Sequence, residues 1–193
     1  LSNVLDALWE AFDSAARQDQ TFYDTRYQRY AADWLEERTT TYLPSLFPDG
    51  AIYRTLDYPD PEKAAGSTAE LDAAVVWGPF VLLVETKAKQ FRIAGQLGDI
   101  GWLRTDVKRN VKEAFDQALR AQKYIEAADR PVFKERKSDR ELVWDKARFR
   151  RVYPLTVSLH HLATLTTRLA ALEPLGLFKE KEYPFAISEA DLE

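Results

Sequence analysis

The chain has 193 residues, 27 Lys and Arg against 31 Asp and Glu, a formal net charge of −4, and neither Cys nor Met. That length suits one domain with room for a small appendage. The lack of Cys excludes a disulfide framework, a thiolate nucleophile and a cysteine zinc site, and the neighbours His160 and His161 are too few for a His-rich metal site.

No apolar run approaches the roughly 18 residues of a membrane helix, and no signal-peptide pattern opens the chain. The expectation is a soluble, cytoplasmic, mixed α/β protein whose metal chemistry would use hard oxygen ligands. The chain starts at Leu1 and stops just after Ser188 and Asp191, a pair spaced like a helix start, so a fragment of a longer protein with an additional domain is expected.

In chain order, residues 3–20 read as a helix, with Val4, Leu5, Leu8, Phe12 and Ala15/Ala16 at three- and four-residue intervals. A second helix covers about 24–43, striped by Tyr27, Ala31, Trp34, Leu35 and Tyr42 and ended by Pro44, Pro48 and Gly50. Residues 51–58 alternate like a strand, and Pro59–Ser67 is an extended loop. Glu70–Trp77 and Phe80–Lys87 are strands separated by Gly78-Pro79. Residues 88–104, with Gly95, Gly98 and Gly101, read as irregular, 106–128 as a long helix, and the charged stretch 129–147 as a loop. Arg151–Leu159 is a further strand and 161–172 a further helix. This order suits an α/β fold with a mixed central sheet, flanked by helices.

The chemistry concentrates in the hairpin. If Gly78-Pro79 is a two-residue turn, Trp77 faces Phe80, Asp72 faces Glu85 and Glu70 faces Lys87. Alternation then puts all four charged side chains on one face, with directly opposed Cβ atoms about 4.5–5.5 Å apart. Opposed like charges destabilise a sheet, and burial sharpens the penalty. A divalent cation would turn that repulsion into coordination, and Mg²⁺ takes one or two carboxylates plus waters and phosphate oxygens. Lys87 could orient a water or stabilise charge on a phosphoryl group. The plain alternative is a hairpin with a Glu70–Lys87 ion pair and two solvated acids.

A loop-preceded Asp on one strand, a hairpin, and Glu-x-Lys on the next resembles the restriction-endonuclease-like, PD-(D/E)xK, nuclease superfamily. Leu71-Asp72-Ala73-Ala74-Val75-Val76, followed by Phe80-Val81-Leu82-Leu83-Val84-Glu85-Thr86-Lys87, is similar to its nuclease-related (NERD-like) branch. The resemblance implies a restriction-endonuclease-like core over 24–160, with 1–23 as a helical extension and 161–193 as a C-terminal segment. It implies Mg²⁺ or Mn²⁺ held by Asp72 and Glu85, with the Thr86 carbonyl as a further oxygen, and catalysis by Lys87. The family adds an acid from the first core helix, here Asp33, Glu36 or Glu37, of which Glu37 lies nearest the Trp34 stripe. It also places a Gln on the following helix, which Gln117 or Gln122 could match. The implied activity is phosphodiester hydrolysis, with DNA rather than RNA as substrate. An inactive nucleic-acid-binding or scaffolding module of the same fold, or a small-nucleotide phosphodiesterase, fits the same residues.

Glu135-Arg136-Lys137 also spells Glu-x-Lys but has neither an apolar strand before it nor a register-matched Asp. Lys89, Arg92, Arg104, Lys108 and Arg109 follow the hairpin and could meet phosphates. Residues 130–151 hold nine basic and four acidic side chains, a second candidate track for a nucleic-acid backbone. Trp102, amid glycines, could stack on a base, whereas packing is the expected role of His160 and His161. The acidic total argues against a generic high-affinity nucleic-acid binder.

Overall fold

The computed structural model describes residues 2–89, 91, 99–160, 169–170, 172–178 and 182–192. Its α-helices are α1 (Ser2–Ala16), α2 (Gln20–Phe22), α3 (Gln28–Leu46), α4 (Ile100–Val107) and α5 (Glu113–Ala127). Two π-helical turns, Tyr23–Tyr27 and Lys108–Lys112, join α2 to α3 and α4 to α5. The strands are β1 (Ala51–Pro59), β2 (Thr68–Trp77), β3 (Phe80–Lys87), β4 (Val132–Glu135), β5 (Arg140–Val143), β6 (Arg151–Ser158) and β7 (Phe185–Ser188). They form one seven-stranded sheet in the order β5-β4-β1-β2-β3-β6-β7. β3, β6 and β7 run parallel and the remaining pairings are antiparallel, which makes the sheet mixed as the sequence implies.

Helices cover both faces. Ala118, Ala121 and Ile125 of α5 pack on Leu71, Ala74, Val81 and Leu83. On the other side Ala31, Leu35 and Leu43 of α3 pack on Ala73, Val75, Val84, Leu155 and Val157. β3 is therefore covered on both sides, which is why it reads as an apolar run rather than as alternation. Its hairpin with β2 has the anticipated register, from Trp77 opposite Phe80 to Ala73 opposite Val84. Gly78 has φ +56°, the left-handed backbone that a tight two-residue turn demands at its first central position, and Pro79 supplies the second.

Several elements differ from expectation. α3 does not stop at Pro44 but runs through it to Leu46. Proline cannot donate to the carbonyl four residues back, and the orphaned Thr40 oxygen instead accepts from the Arg54 guanidinium at 2.9 Å. Arg54→Ala should therefore cost about 1–2 kcal/mol, read as a lower thermal midpoint; an unchanged midpoint would show that this carbonyl needs no donor from the sheet. Residues 132–143, expected as loop, form the β4–β5 hairpin, because Phe133 and Leu142 point into the core while charged neighbours point out. Ile100–Val107 is helical, started by the Asp99 carboxylate accepting from the Trp102 N–H. The expected helix over 161–172 lies mostly outside the described residues, as do Gly95 and Gly98. Ser188 and Asp191 do form a reciprocal capping box, on a short 3-10 turn. Among the described residues no helix is long and apolar enough to cross a membrane.

Candidate active site

Beyond Ala73–Val84 the β2–β3 pairing stops, and the next residues are Asp72 and Glu85. The opening has a local cause. Tyr53 and Leu56 of β1 face α5, as do Leu71 and Ala74 of β2, so two residues instead of one intervene in each strand. The slip falls at the opposed positions Thr55 and Asp72, and Thr55 carries φ +48°. Such kinks re-aim side chains at sheet openings. Here the Asp72 carboxylate turns into the gap, where one oxygen accepts from both the backbone N–H and the hydroxyl of Thr86, each at 2.8 Å. Asp72 thus replaces the missing ladder partner of β3.

Glu85 continues the phase of Val81 and Leu83 and is 1% exposed. Its Oε2 lies 3.7 Å from the Lys87 ammonium. Its Oε1 is buried without a hydrogen-bond partner. Burial pushes the Glu85 carboxyl well above the ordinary range and the neighbouring Asp72 carboxylate pushes it further, while Lys87 opposes both. A buried acceptor left without a donor costs about 1–3 kcal/mol, so this oxygen fits a site that a cation or an ordered water completes. Gln117 presents a second such oxygen. It lies one helical turn from Glu113, which lines the same cleft as Asp72 and Lys87. Gln122, by contrast, donates to Glu126 at 2.8 Å on the exposed side of α5.

That cleft encloses about 300 Å³ at the open end of the hairpin and is bordered by Asp33, Glu36, Asp72, Thr86, Lys87 and Glu113. Of the three helix acids, Glu36 is the one drawn toward the strands. Its carboxylate accepts from the Thr55 hydroxyl at 2.9 Å. Burial raises the Glu36 pKa, the Thr55 bond counteracts this, and Asp72 adds to the rise. The sequence-preferred Glu37 is exposed and does not border the cleft. The reason is that the buried stripe of α3 runs through Ala31, Leu35, Thr39, Thr40 and Leu43, leaving Trp34 partly exposed.

Glu70 also departs from expectation. It does not meet Lys87; its carboxylate accepts from Arg136 at 2.8 Å, and the same guanidinium holds Asp57, opposite Glu70 on β1, at 2.6 Å. Arg136 therefore bridges two facing acids and relieves their mutual repulsion, outside the cleft lining. The 130–151 basic track is likewise partly spent internally, with Lys134 2.6 Å from Asp139 and Lys146 donating to the Glu126 carbonyl. Lys89 donates to Gln28 at 2.9 Å beside the cleft, while Lys108 and Arg109 are exposed and Arg104 donates to the Leu175 carbonyl. His160 is buried and Trp102 is exposed, and Arg92 and His161 lie outside the described residues. Sequence reasoning missed Thr55 and Glu113, and gave Thr86 only as a carbonyl oxygen rather than as the donor to Asp72; these roles depend on the strand kink and on α5 reaching over the sheet end. Among the described residues, no cluster of three or more His, Asp or Glu side chains is already gathered in metal-binding geometry.

No family model matches the chain, and no curated protein does. Among solved structures it is similar to one described as protein VC1899 from Vibrio cholerae, at 14% identity and a TM-score of 0.32, covering 82% of this chain. The chain spans 29% of that protein's length.

Proposed function

We propose that this chain is a metal-dependent nuclease domain that hydrolyses phosphodiester bonds, with DNA as the preferred substrate. The observation that carries the reading is the buried Glu85 oxygen without a hydrogen-bond partner, close to Asp72 and Lys87, which themselves line the open cleft. Asp72 and Glu85 would hold Mg²⁺ or Mn²⁺, which when bound supplies Lewis acidity and neutralises charge at the phosphoryl group.

The chain's own residues supply the rest. Thr86 locks Asp72 through two hydrogen bonds, which fixes that carboxylate against rotation. Lys87 lies within reach of both Glu85 and the cleft, so its ammonium can hold a water for in-line attack or accept charge developing on a phosphate oxygen. Glu36, kept in place by Thr55, borders the same space and can accept a proton from that water. Gln117, one helical turn from Glu113, has a buried amide oxygen without a hydrogen-bond partner and can accept from a further water.

A cleavage panel of plasmid, single strands, RNA and free nucleotides, with and without Mg²⁺ or Mn²⁺, tests the reading. Metal-dependent cleavage of DNA is expected; cleavage of nucleotides alone would make the protein a small phosphodiesterase, and binding of nucleic acid without metal uptake would make it a scaffold. Within this site, Glu36→Gln should slow cleavage about tenfold or more, whereas Glu37→Gln should leave it unchanged. Equal effects at both positions would contradict the placement of the third acid.

A further inference from the structure

A second cleft of about 220 Å³ adjoins the first, and the two share Gln28, Ala88 and Lys89. We propose that this second cleft binds a phosphate group of the substrate strand adjacent to the one being cleaved, an inference that rests on the nuclease reading above. Arg17, Lys89, Arg109 and His160 stand on its walls. Three of these side chains are permanent cations at neutral pH, and guanidinium groups match phosphate oxygens in pairs.

Two acids also border it. Asp13 is ion-paired with Arg17, so the attraction for a phosphate falls mainly to Lys89 and Arg109, and Asp24 is held by two neutral amides. Asp13 accepts from the Arg17 guanidinium at 2.7 Å and from the Tyr23 hydroxyl at 2.9 Å. Asp24 accepts from the Gln20 amide at 2.9 Å and from the Gln28 amide at 3.5 Å. Gln28 in turn accepts from Lys89 at 2.9 Å, which fixes that ammonium on the threshold between the clefts. Arg17 lies over the Tyr23 ring at 4.1 Å, so its plane is held rather than free to wave in solvent.

A second, independent observation concerns the backbone. Both π-helical turns contribute to this one cleft, the first through Tyr23, Asp24 and Tyr27, the second through Arg109. Such turns account for well under 1% of residues in globular proteins and recur at functional sites. Their presence in two separate helices, both opening onto one basic recess, is unlike the placement of structural defects. The recess also lies off the C-terminal ends of the parallel strands β3 and β6, through Ala88, Lys89, Leu159 and His160. Ligands of open α/β sheets bind beyond those ends.

A strand bound with one phosphate at Lys87 would run past Lys89 and seat the neighbouring phosphate by Arg17 and Arg109. That phosphate could be an internal diester or a terminal monoester. The test is fluorescence anisotropy on the full chain with metals chelated, using one oligonucleotide with a 5′-phosphate, one with a 3′-phosphate and one with hydroxyl ends. Arg109 is exposed, so Arg109→Ala should fold normally. It should weaken binding roughly 5- to 20-fold and lower the salt slope by about 1, as should Lys89→Ala. Lys123→Ala, on the exposed far side of α5 beside Glu62, should change neither.

Equal weakening for all three oligonucleotides identifies an internal phosphate; weakening confined to one phosphorylated end identifies a terminal one. Unchanged affinity and salt slope in both variants would overturn the inference. Cleavage is not read here. Weakened binding in a protein that never cleaves would leave the phosphate site standing and remove the nuclease reading, whereas intact cleavage with unaltered binding would do the reverse.

Discussion

Lys87→Ala is expected to reduce metal-dependent cleavage by at least about 10³-fold while leaving the fold intact. The loss follows from removing the cation that faces both Glu85 and the cleft; deleting one preorganised donor to developing charge typically costs 10²–10³ in rate, and in the proposed mechanism Lys87 would also position the water. The fold survives because the Glu85 carboxyl, already pushed up by burial, can take a proton once its counter-ion is gone. Glu85→Ala and the better-matched Glu85→Gln should abolish cleavage equally, since neither offers an anionic oxygen. Steady-state cleavage together with circular dichroism makes the comparison. Wild-type rates in either the lysine or the glutamate variant would remove the proposed chemistry.

The second large effect concerns stability. An unfolded Glu titrates near 4.3, and burial first, then Asp72, raise the folded-state value of Glu85 well above that. The folded protein therefore holds this proton longer than the unfolded chain. The resulting stability is fully present below pH of about 4.3 and is lost as pH rises through the folded pKa, each unit of displacement being worth about 1.4 kcal/mol. Metal-free protein should accordingly lose thermal stability on going from mildly acidic to mildly alkaline pH, and Glu85→Gln should flatten that slope.

A divalent ion acts in the opposite sense, because it binds the ionised pair in the folded state alone. At a hundredfold excess over its dissociation constant it should add about 2.7 kcal/mol, equivalent to a rise of roughly 5–10 °C in midpoint for a chain of this size. That gain should grow with pH, since the ion and the proton compete for the same oxygens. Scanning calorimetry with and without Mn²⁺ at several pH values checks this. A metal-independent midpoint, with the pH slope unchanged in Glu85→Gln, would show that Glu85 is a structural acid.

The hairpin and its register were legible in the sequence because two strong local signals agree: a Gly-Pro turn, and an apolar run that only a doubly covered strand explains. The sequence register predicts Asp72 opposite Glu85, but the pairing stops one step short of them, and the face each side chain takes was not legible. Perfect alternation predicted four charged groups on one face. The kink at Thr55 and Asp72 sent Glu70 to Arg136 and turned Asp72 into the gap. No residue in β1 advertises that kink, since Thr is an unusual choice for a left-handed backbone.

The choice of Glu37 failed for a different reason. The buried stripe of α3 contains Thr39 and Thr40, which do not register as apolar, so the stripe seemed to run through Trp34. Likewise β4 and β5 were hidden by charge: each turns a single apolar side chain, Phe133 or Leu142, into the core, while Lys134, Glu135, Arg140 and Glu141 dominate the rest of these two short strands. The second cleft was invisible because Arg17, Lys89 and Arg109 come together only through the packing of an N-terminal helix against the ends of two parallel strands.

The most direct test of the central claim is a crystal structure of the chain soaked with Mn²⁺, with the ion located by its anomalous scattering. A peak bonded to a carboxylate oxygen of Asp72 and to Oε1 of Glu85, with Lys87 swung toward the cleft, is the predicted result. An ion absent from that position at millimolar Mn²⁺, or bound elsewhere while Asp72 and Glu85 keep their metal-free arrangement, would contradict it.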